Sequence, residues 1–206
     1  LSGQYIDILM EDGRHRSFSI ANAPHNDELL ELHIRLVSDG YFTPKVFSEM
    51  QTKDLLRIEG PHGSFFLHEE SSRPLLLIAG GTGFAPIKAI IEHLLSEQST
   101  RPVYLYWGAQ REKDLYLFEL ARQWAENHEH IHFIPVLSDA DDEHEWQGKR
   151  GYVHQAVLDD FEDLSAYDIY SCGPPAMIQA AQSSFKDKGM NSEHFYFDSF
   201  DFANDP

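Results

Sequence analysis

The chain has 206 residues, of which 42% are hydrophobic, and this is enough for one or two domains with apolar cores. Its formal net charge of −18 disfavours binding to nucleic acid or to an anionic membrane, and no apolar run is long enough to span a bilayer. The single cysteine, Cys172, excludes a disulfide framework and any iron–sulfur cluster built from these residues alone, and it indicates a reducing, cytoplasmic compartment.

Residues 1–70 alternate short strand patterns with turns. Strands are predicted at 4–9, 16–22, 29–36 and 55–60, with Asp12-Gly13 as a hairpin turn. A short helix is predicted over 43–50, with Thr43 as its N-cap and Pro44 at its first position. This pattern predicts a partial antiparallel β-barrel. The chain starts abruptly at the entrance to a strand, so we expect an N-terminally truncated fragment.

The polar segment Glu69–Pro74 interrupts this pattern and predicts a boundary between a domain of residues 1–70 and a second domain of residues 71–206. Beyond it, strands alternate with helices, which predicts an α/β domain with a parallel sheet. The predicted strands cover 75–79, 103–107, 132–137, 168–172 and 195–198. The predicted helices cover 86–97, 115–127, 153–160 and 175–188.

The segment Leu75–Pro86 predicts a buried strand, a glycine-rich turn and the start of a helix. Gly80, Gly81, Thr82 and Gly83 form the turn, and Pro86 suits the first helical turn, where no N–H is needed. Such a turn brings backbone amides close to an anionic pyrophosphate at a helix N-terminus. Taken alone, the pattern fits a nucleotide site and a plain β–α turn about equally well.

A second loop, Cys172-Gly173-Pro174-Pro175, follows the fourth strand of the predicted sheet. Ligands of such sheets bind beyond the carboxyl ends of the strands where the strand order reverses, here between the first and fourth strands. Both loops would face that crevice. Two glycine loops there favour a nucleotide site over a plain turn.

Three ordered motifs resemble those of the ferredoxin–NADP reductase superfamily. Arg16-Ser17-Phe18-Ser19 resembles its flavin motif, Gly81-x-Gly83-x-x-Pro86 its pyridine-nucleotide loop, and Cys172-Gly173-Pro174-Pro175 its nicotinamide-side loop. The resemblance covers essentially the whole chain. Within the superfamily the chain is most similar to NAD(P)H flavin reductases and to reductases resembling CDP-6-deoxyglucoseen reductase, in which a [2Fe-2S] domain precedes the barrel.

The resemblance implies that the first motif binds FAD. Arg16 would grip a pyrophosphate, Phe18 would cover an aromatic ring, and the Ser19 hydroxyl would bond to flavin N5. The family usually has tyrosine at the position of Phe18, so one hydrogen bond is missing and loose flavin binding is expected. Because residues alternate along a strand, Arg16 and Phe18 would face away from Ser19 unless the backbone bends. In isolation the motif also fits an ordinary amphipathic strand.

Further flavin contacts are implied at family spacing. Near the flavin edge and the pyrophosphate, the implied residues are Asn22, His33, Ile34, Arg35, Gly40 and Thr43. At the hydride-transfer site the resemblance implies Ser19 and Cys172, with Asp198 stabilising charge and Phe200 shielding the flavin. Cys172 also fits an inert buried side chain, and the tail aromatics also fit a core.

The segment Ser138-Asp139-Ala140-Asp141-Asp142 follows the third strand of the predicted sheet, where NADP-specific relatives present arginine to a 2′-phosphate. Carboxylates there would repel a phosphate and accept a ribose hydroxyl, which favours NADH over NADPH. Arg111 would contact an adenosine phosphate or serve only as a surface charge. Alternating histidines at 128, 130 and 132 leave a metal site as a minor alternative, and no metal is predicted.

The sequence therefore predicts an FAD-dependent NADH oxidoreductase. Hydride would pass from nicotinamide C4 to flavin N5 and electrons onward, to an iron–sulfur centre outside these residues that serves a redox partner protein such as an oxygenase or dehydrase. The alternatives are a standalone reductase that releases reduced FMN or FAD, and a nucleotide-binding electron-transfer subunit without turnover. A flavin-free NAD dehydrogenase would leave the barrel unexplained.

Overall fold

The computed structural model describes residues 1–140 and 145–200 and contains two sheets. The first is an antiparallel sheet of three strands in the order β2-β1-β3. Its strands are β1 (Tyr5–Leu9), β2 (His15–Ser19) and β3 (Arg57–His62). The predicted hairpin joins β1 to β2, and Gly13 occupies the turn with a φ of +83°. Within the described residues, this three-stranded sheet forms the antiparallel half of the fold that the sequence predicts.

The predicted strand over residues 29–36 is wrong, because in the structure this segment forms a single bridge, between Ile20 and Leu32. The Asn22 side chain bonds to the carbonyls of Asn26 and Leu29 and to the amide of Glu31. These bonds hold the segment as a loop, since a short amide side chain competes with sheet pairing for the backbone groups.

The predicted role of Thr43 as an N-cap is also wrong. Helix α1 (Thr43–Ser48) takes Phe42 as its N-cap, and Thr43 is already inside the helix. The Thr43 hydroxyl instead accepts a hydrogen bond from the Val37 amide and donates one to the Val37 carbonyl. It closes the preceding loop rather than the helix end.

The second sheet has six parallel strands in the order β7-β6-β5-β4-β8-β9, as the alternating pattern predicts. Its strands are β4 (Leu75–Gly80), β5 (Val103–Ala109), β6 (Ile131–Leu137), β7 (Lys149–Arg150), β8 (Asp168–Gly173) and β9 (Phe195–Ser199). The helices are α2 (Phe84–Ser96), α3 (Phe118–Asn127), α4 (Val153–Asp160) and α5 (Pro175–Lys186). Strand β4 lies between β5 and β8, so the strand order reverses at its carboxyl end, where the sequence places the crevice.

All six residues of β4 are buried, because helices and core side chains cover both faces of the sheet. Leu75 and Leu77 belong to one apolar cluster, and Leu76 and Ile78 belong to the cluster on the opposite face. At the amino end of β8, the fully buried carboxylate of Asp168 pairs with Arg101 at 2.5 Å, Arg73 at 3.2 Å and His194 at 2.8 Å. Within the described residues, no helix combines the length and apolar character needed to cross a bilayer.

Candidate functional site

The two glycine loops meet at the carboxyl end of β4. A Cβ atom added at Gly83 would lie 2.1 Å from the carbonyl oxygen of Cys172, and one added at Gly173 would lie 3.1 Å from the Cα of Gly80. Side chains at these positions would separate the two loops. Glycine is therefore required here for close backbone approach, as the sequence predicts for an anion-binding turn.

An aromatic stack supports the first loop from below. The rings of Phe84 and Trp107 lie 3.8 Å apart with planes 7° from parallel. The Trp107 indole N–H donates a hydrogen bond of 3.0 Å to the Gly81 carbonyl. Residues 81–83 form a tight turn that leads directly into α2, so the stack holds both the loop and the helix start.

A cavity of roughly 1030 Å³ opens beside these loops and is bounded by both sheets. Its size suits a dinucleotide better than a single small metabolite. The buried Ser19 hydroxyl borders the cavity and has no hydrogen-bond partner in the protein. A polar atom of a bound molecule, such as one on the ring edge of a flavin, would satisfy this hydroxyl.

Most of the residues that the sequence nominates lie around this cavity. Those that line it are Arg16, Ser17, Phe18, Ser19, His33, Arg35, Gly40, Thr43, Gly80, Gly81, Thr82, Ser138, Pro174, Asp198 and Phe200. Eight others do not line it: Asn22, Ile34, Gly83, Pro86, Arg111, Asp139, Cys172 and Gly173. The structure thus gathers side chains from both halves of the sequence at one place.

Strand β2 forms the wall of the cavity on the side of the antiparallel sheet. It is the edge of that sheet, so side chains of either orientation border the opening. This removes the expected separation of Arg16 and Phe18 from Ser19. The Arg16 guanidinium donates to the His15 carbonyl at 2.8 Å, and the Phe18 ring packs 5.6 Å from that of Phe42.

Ser19 and Asp198 lie near each other at the junction between the two sheets. Burial raises the pKa of the Asp198 carboxyl, and the Ser19 hydroxyl acts in the opposite direction without a hydrogen bond of normal geometry. Phe200 follows two residues later, and its amide donates to the Gly173 carbonyl at 3.1 Å. The tail therefore returns to the second glycine loop.

Cys172 is fully buried between Ala79 and Asp198 in the register of the sheet. Its side chain belongs to the apolar cluster beneath the first loop, together with Phe84 and Trp107. Burial raises the pKa of the thiol well above its usual range. The thiol is therefore protonated at neutral pH, which argues against a nucleophile.

The loop between β2 and α1 contains neighbouring residues whose side chains lie in different environments. His33 and Arg35 line the cavity, whereas Ile34 packs against the apolar cluster of the antiparallel sheet. Asn22 is 6% exposed, and its side-chain amide hydrogen-bonds to the backbone of Leu29 and Glu31 rather than to the cavity. Gly40 packs against Val37, where an added Cβ would lie 3.1 Å from the Val37 carbonyl oxygen.

The far end of the cavity is formed by the loops after β5 and β6. Ser138 lines it, and the amide of Asp139 donates to the Gln110 carbonyl. The Asp139 carboxylate lies 3.2 Å from the Arg111 guanidinium, and both side chains are about half exposed. Asp141 and Asp142, also nominated from the sequence, lie outside the described residues.

Several residues around the site escaped the sequence reasoning. They are Lys88, Trp107, Tyr116, Tyr152 and Met177. Tyr152 is 69% exposed and stacks with His154 at the cavity wall, while Met177 packs against Gly80. A lysine inside the apolar run after the glycine loop was a usable signal, because a cation there must find a partner.

The three alternating histidines that follow α3 do not gather around a common point. His128 and His130 have ring centroids 5.8 Å apart, whereas His132 stacks on Tyr104 at 4.8 Å. Throughout residues 1–140 and 145–200, no group of three or more His, Cys, Asp or Glu side chains is arranged to hold a metal ion.

Two domain families match the chain in sequence. Residues 1–67 match the oxidoreductase FAD-binding domain, and residues 77–183 match the oxidoreductase NAD-binding domain. The described fold agrees with that of a solved relative, the Amycolatopsis cytochrome P450 reductase GcoB. The TM-score is 0.89 at 33% identity, over 97% of this chain and 60% of the reductase.

Two curated relatives illustrate the range of proteins to which this chain is similar. The NAD(P)H-flavin reductase of Vibrio harveyi is 41% identical over 208 residues, which cover 98% of this chain and 86% of the relative. The CDP-6-deoxy-L-threo-D-glycero-4-hexulose-3-dehydrase reductase of Yersinia pestis is 44% identical over 200 residues, or 97% of this chain. The chain spans only 59% of that second relative.

Proposed function

Since this chain belongs to the ferredoxin–NADP reductase superfamily, we propose that it is an FAD-dependent oxidoreductase that takes hydride from NADH and passes electrons to a partner. Bound flavin would supply the conversion between a two-electron donor and one-electron acceptors. One observation carries the proposal: two apposed glycine loops and the edge strand β2 border the same cavity.

The residues of the antiparallel half would bind the flavin. Arg16 would pair with the pyrophosphate, Phe18 would cover a ring face, and the unpartnered Ser19 hydroxyl would donate to or accept from the ring edge. Gly40 and Thr43 lie on the same wall and would complete the pyrophosphate end. Phe18 has no hydroxyl, so flavin binding would depend more on Arg16.

The residues of the parallel half would bind the nicotinamide nucleotide. Gly81, Thr82 and Gly83 would offer amides to its phosphates, and the loop of Gly173 and Pro174 would hold its ring toward β2. The buried thiol of Cys172 would shape this place by its bulk. On the returning tail, Asp198 would stabilise charge at this place and Phe200 would shield the flavin face from water.

We also propose NADH as the preferred donor, with NADPH less favoured. Asp139 already engages Arg111, and its carboxylate would repel a 2′-phosphate. The domain boundary is proposed within Glu69–Pro74, giving a flavin half of residues 1–70 and a nucleotide half of residues 71–206.

We also propose a reducing, cytoplasmic location, which fits the single buried thiol.

The acceptor is proposed to be an iron–sulfur centre, [2Fe-2S] in type, on residues outside this chain and serving a dehydrase or oxygenase partner. The name of the dehydrase reductase of Yersinia pestis supports the choice of a dehydrase partner, and the cluster follows from the resemblance described from the sequence. A second candidate is release of reduced flavin as the product. The apolar ring of Phe18 favours it, because loose flavin binding suits a flavin that leaves.

The test is an anaerobic visible spectrum of the full-length protein before and after NADH addition. A bound flavin band that bleaches, beside cluster absorbance, would support transfer to an iron–sulfur centre. A colourless protein that reduces added flavin would support the second candidate. An Arg16→Ala variant should lose flavin at least tenfold more readily, since a charge-assisted bond contributes about 1.5–3 kcal/mol. Full flavin retention in that variant would contradict the cofactor site.

A further inference from the structure

Lys88 is a buried cation in the second turn of α2, only 5% exposed. Its ammonium lies 3.0 Å from a Glu31 carboxylate oxygen, 2.7 Å from Glu92 and 3.1 Å from the Ala21 carbonyl. A buried ammonium is stable only when it is paired in this way. Because Ala21 and Glu31 belong to the N-terminal half, Lys88 ties α2 to that half.

The contact continues from Glu31 to the cavity wall. The second carboxylate oxygen of Glu31 lies 2.8 Å from Nε2 of His33, and Nδ1 of His33 lies 2.7 Å from the Tyr116 hydroxyl. Burial would raise the pKa of Glu31, but the hydrogen bonds from His33 and Lys88 outweigh it and lower that pKa. Glu31 is therefore an ionised acceptor.

These partners determine the tautomer of His33. Burial raises the pKa of Tyr116, so its phenol remains a donor and Nδ1 of His33 accepts. Nε2–H then donates to Glu31. Burial also lowers the pKa of His33 despite the opposing bond from Glu31, so the ring is neutral. Both ring nitrogens are occupied within the protein, which leaves His33 no proton to give to a molecule in the cavity.

The far end of the contact returns to the first glycine loop. The Tyr116 ring packs edge-on against Trp107, with centroids 5.3 Å apart and planes at 87°. Trp107 in turn holds the Gly81 carbonyl. A continuous series of contacts therefore connects the first glycine loop to α2, the helix that follows it. In order, its members are Gly81, Trp107, Tyr116, His33, Glu31 and Lys88.

We propose that Lys88, Glu31, His33 and Tyr116 are positioning residues that hold the flavin-side wall in a fixed relation to the phosphate-binding loop. This inference rests on the proposed function, because the two walls matter only if two cofactors must be aligned. Small misplacements of reacting atoms slow a transfer strongly even when both molecules still bind. The network thus acts on alignment, while binding depends on other residues.

The test compares full-length wild type with Tyr116→Phe, which removes one hydroxyl and keeps the ring. We expect the anaerobic rate of flavin reduction by NADH to fall about tenfold, with KM for NADH and flavin affinity changed less than about twofold. Glu31→Gln should act in the same direction. Tyr167→Phe is the matched control, because Tyr167 packs in the opposite apolar cluster away from the cavity.

A second measurement needs no cofactor. Amide hydrogen exchange of the flavin-free protein should become faster at both residues 21–33 and 81–88 in Tyr116→Phe, and at neither in Tyr167→Phe. Unchanged reduction rate and unchanged exchange would overturn the inference while leaving the reductase function intact. If wild type does not oxidise NADH, the proposed function fails. Exchange then decides alone: faster exchange at both segments supports the coupling, and unchanged exchange overturns it.

Discussion

The rings of Trp107 and Phe84 lie parallel and 3.8 Å apart directly beneath the first glycine loop, and the Trp107 indole donates to the Gly81 carbonyl. Both residues are fully buried. The loop is therefore held from the core side by an aromatic stack on β5 and α2. Its outer side is left to offer backbone groups to a ligand.

Replacing Trp107 by phenylalanine should weaken nucleotide binding. The Gly81 carbonyl loses its donor, and one such bond contributes about 1 kcal/mol, which predicts a rise of roughly fivefold in KM for NADH. Flavin affinity should be unchanged. Trp124→Phe is the control, because Trp124 packs in the same cluster. Equal effects of the two substitutions would show that core volume, rather than the bond to Gly81, is responsible.

Gly83→Ala should separate the two glycine loops. The new Cβ would lie 2.1 Å from the Cys172 carbonyl oxygen, a backbone atom that cannot rotate away. Overpacking of this kind costs about 1–3 kcal/mol, so nucleotide affinity should fall by roughly 5- to 150-fold while flavin content is retained. Titration with NAD⁺ and the visible spectrum measure the two effects.

The control for this substitution is Gly13→Ala in the hairpin turn. Gly13 has a φ of +83° with open space around it, so the change adds backbone strain alone. It should lower stability slightly and leave nucleotide affinity unchanged. Wild-type affinity in Gly83→Ala would show that the two loops are not held in contact.

Asp139→Asn should shift the donor preference toward NADPH. The substitution removes the carboxylate that engages Arg111 at 3.2 Å and leaves that guanidinium available to a 2′-phosphate. We expect the NADPH to NADH ratio of kcat/KM to rise about tenfold, corresponding to about 1.4 kcal/mol. Glu119→Gln removes a comparable exposed partner from Arg122 and should not alter the ratio. A fall in the ratio for Asp139→Asn would contradict the assignment.

Asp198→Asn should stabilise the cofactor-free protein at neutral pH. Because burial raises the pKa of Asp198, the folded state binds more protons than the unfolded state between the two pKa values, and stability falls as pH rises through that interval. Above the folded pKa an ionised, buried carboxylate remains. The asparagine variant should therefore have the higher Tm at pH 7, and the difference should shrink as pH falls toward the usual range of an aspartate. A difference independent of pH would contradict this.

Local pattern was sufficient for most of the parallel half. The unbroken apolar run of β4 predicts a strand buried on both faces, and its six residues are all buried. Helix α4 occupies the predicted residues, 153–160. The predicted reversal of the strand order between the first and fourth strands is confirmed, since β4 lies between β5 and β8. These features follow from periodicity and turn chemistry, which act over a few residues.

The segment 29–36 shows where local pattern fails. Its pattern of leucines is typical of a strand. In the structure, however, Leu29 is 79% exposed, and hydrogen bonds from Asn22 hold the segment as a loop. The outcome depended on a side chain several residues away, and hydrogen bonds of that kind leave no periodic signal. The misplaced N-cap at Thr43 has the same origin, since its hydroxyl closes a loop instead.

The sequence by itself determined the order of the elements and the residues that must be glycine, because backbone conformation and apolar periodicity are encoded locally. Tertiary structure alone decided that β2 faces the glycine loops as an edge strand, and that Lys88, Glu31, His33 and Tyr116 meet. The last contact joins residues 83 positions apart in the chain. Such contacts depend on how whole sheets pack, and packing is settled by the sum of many burials rather than by any short stretch of residues.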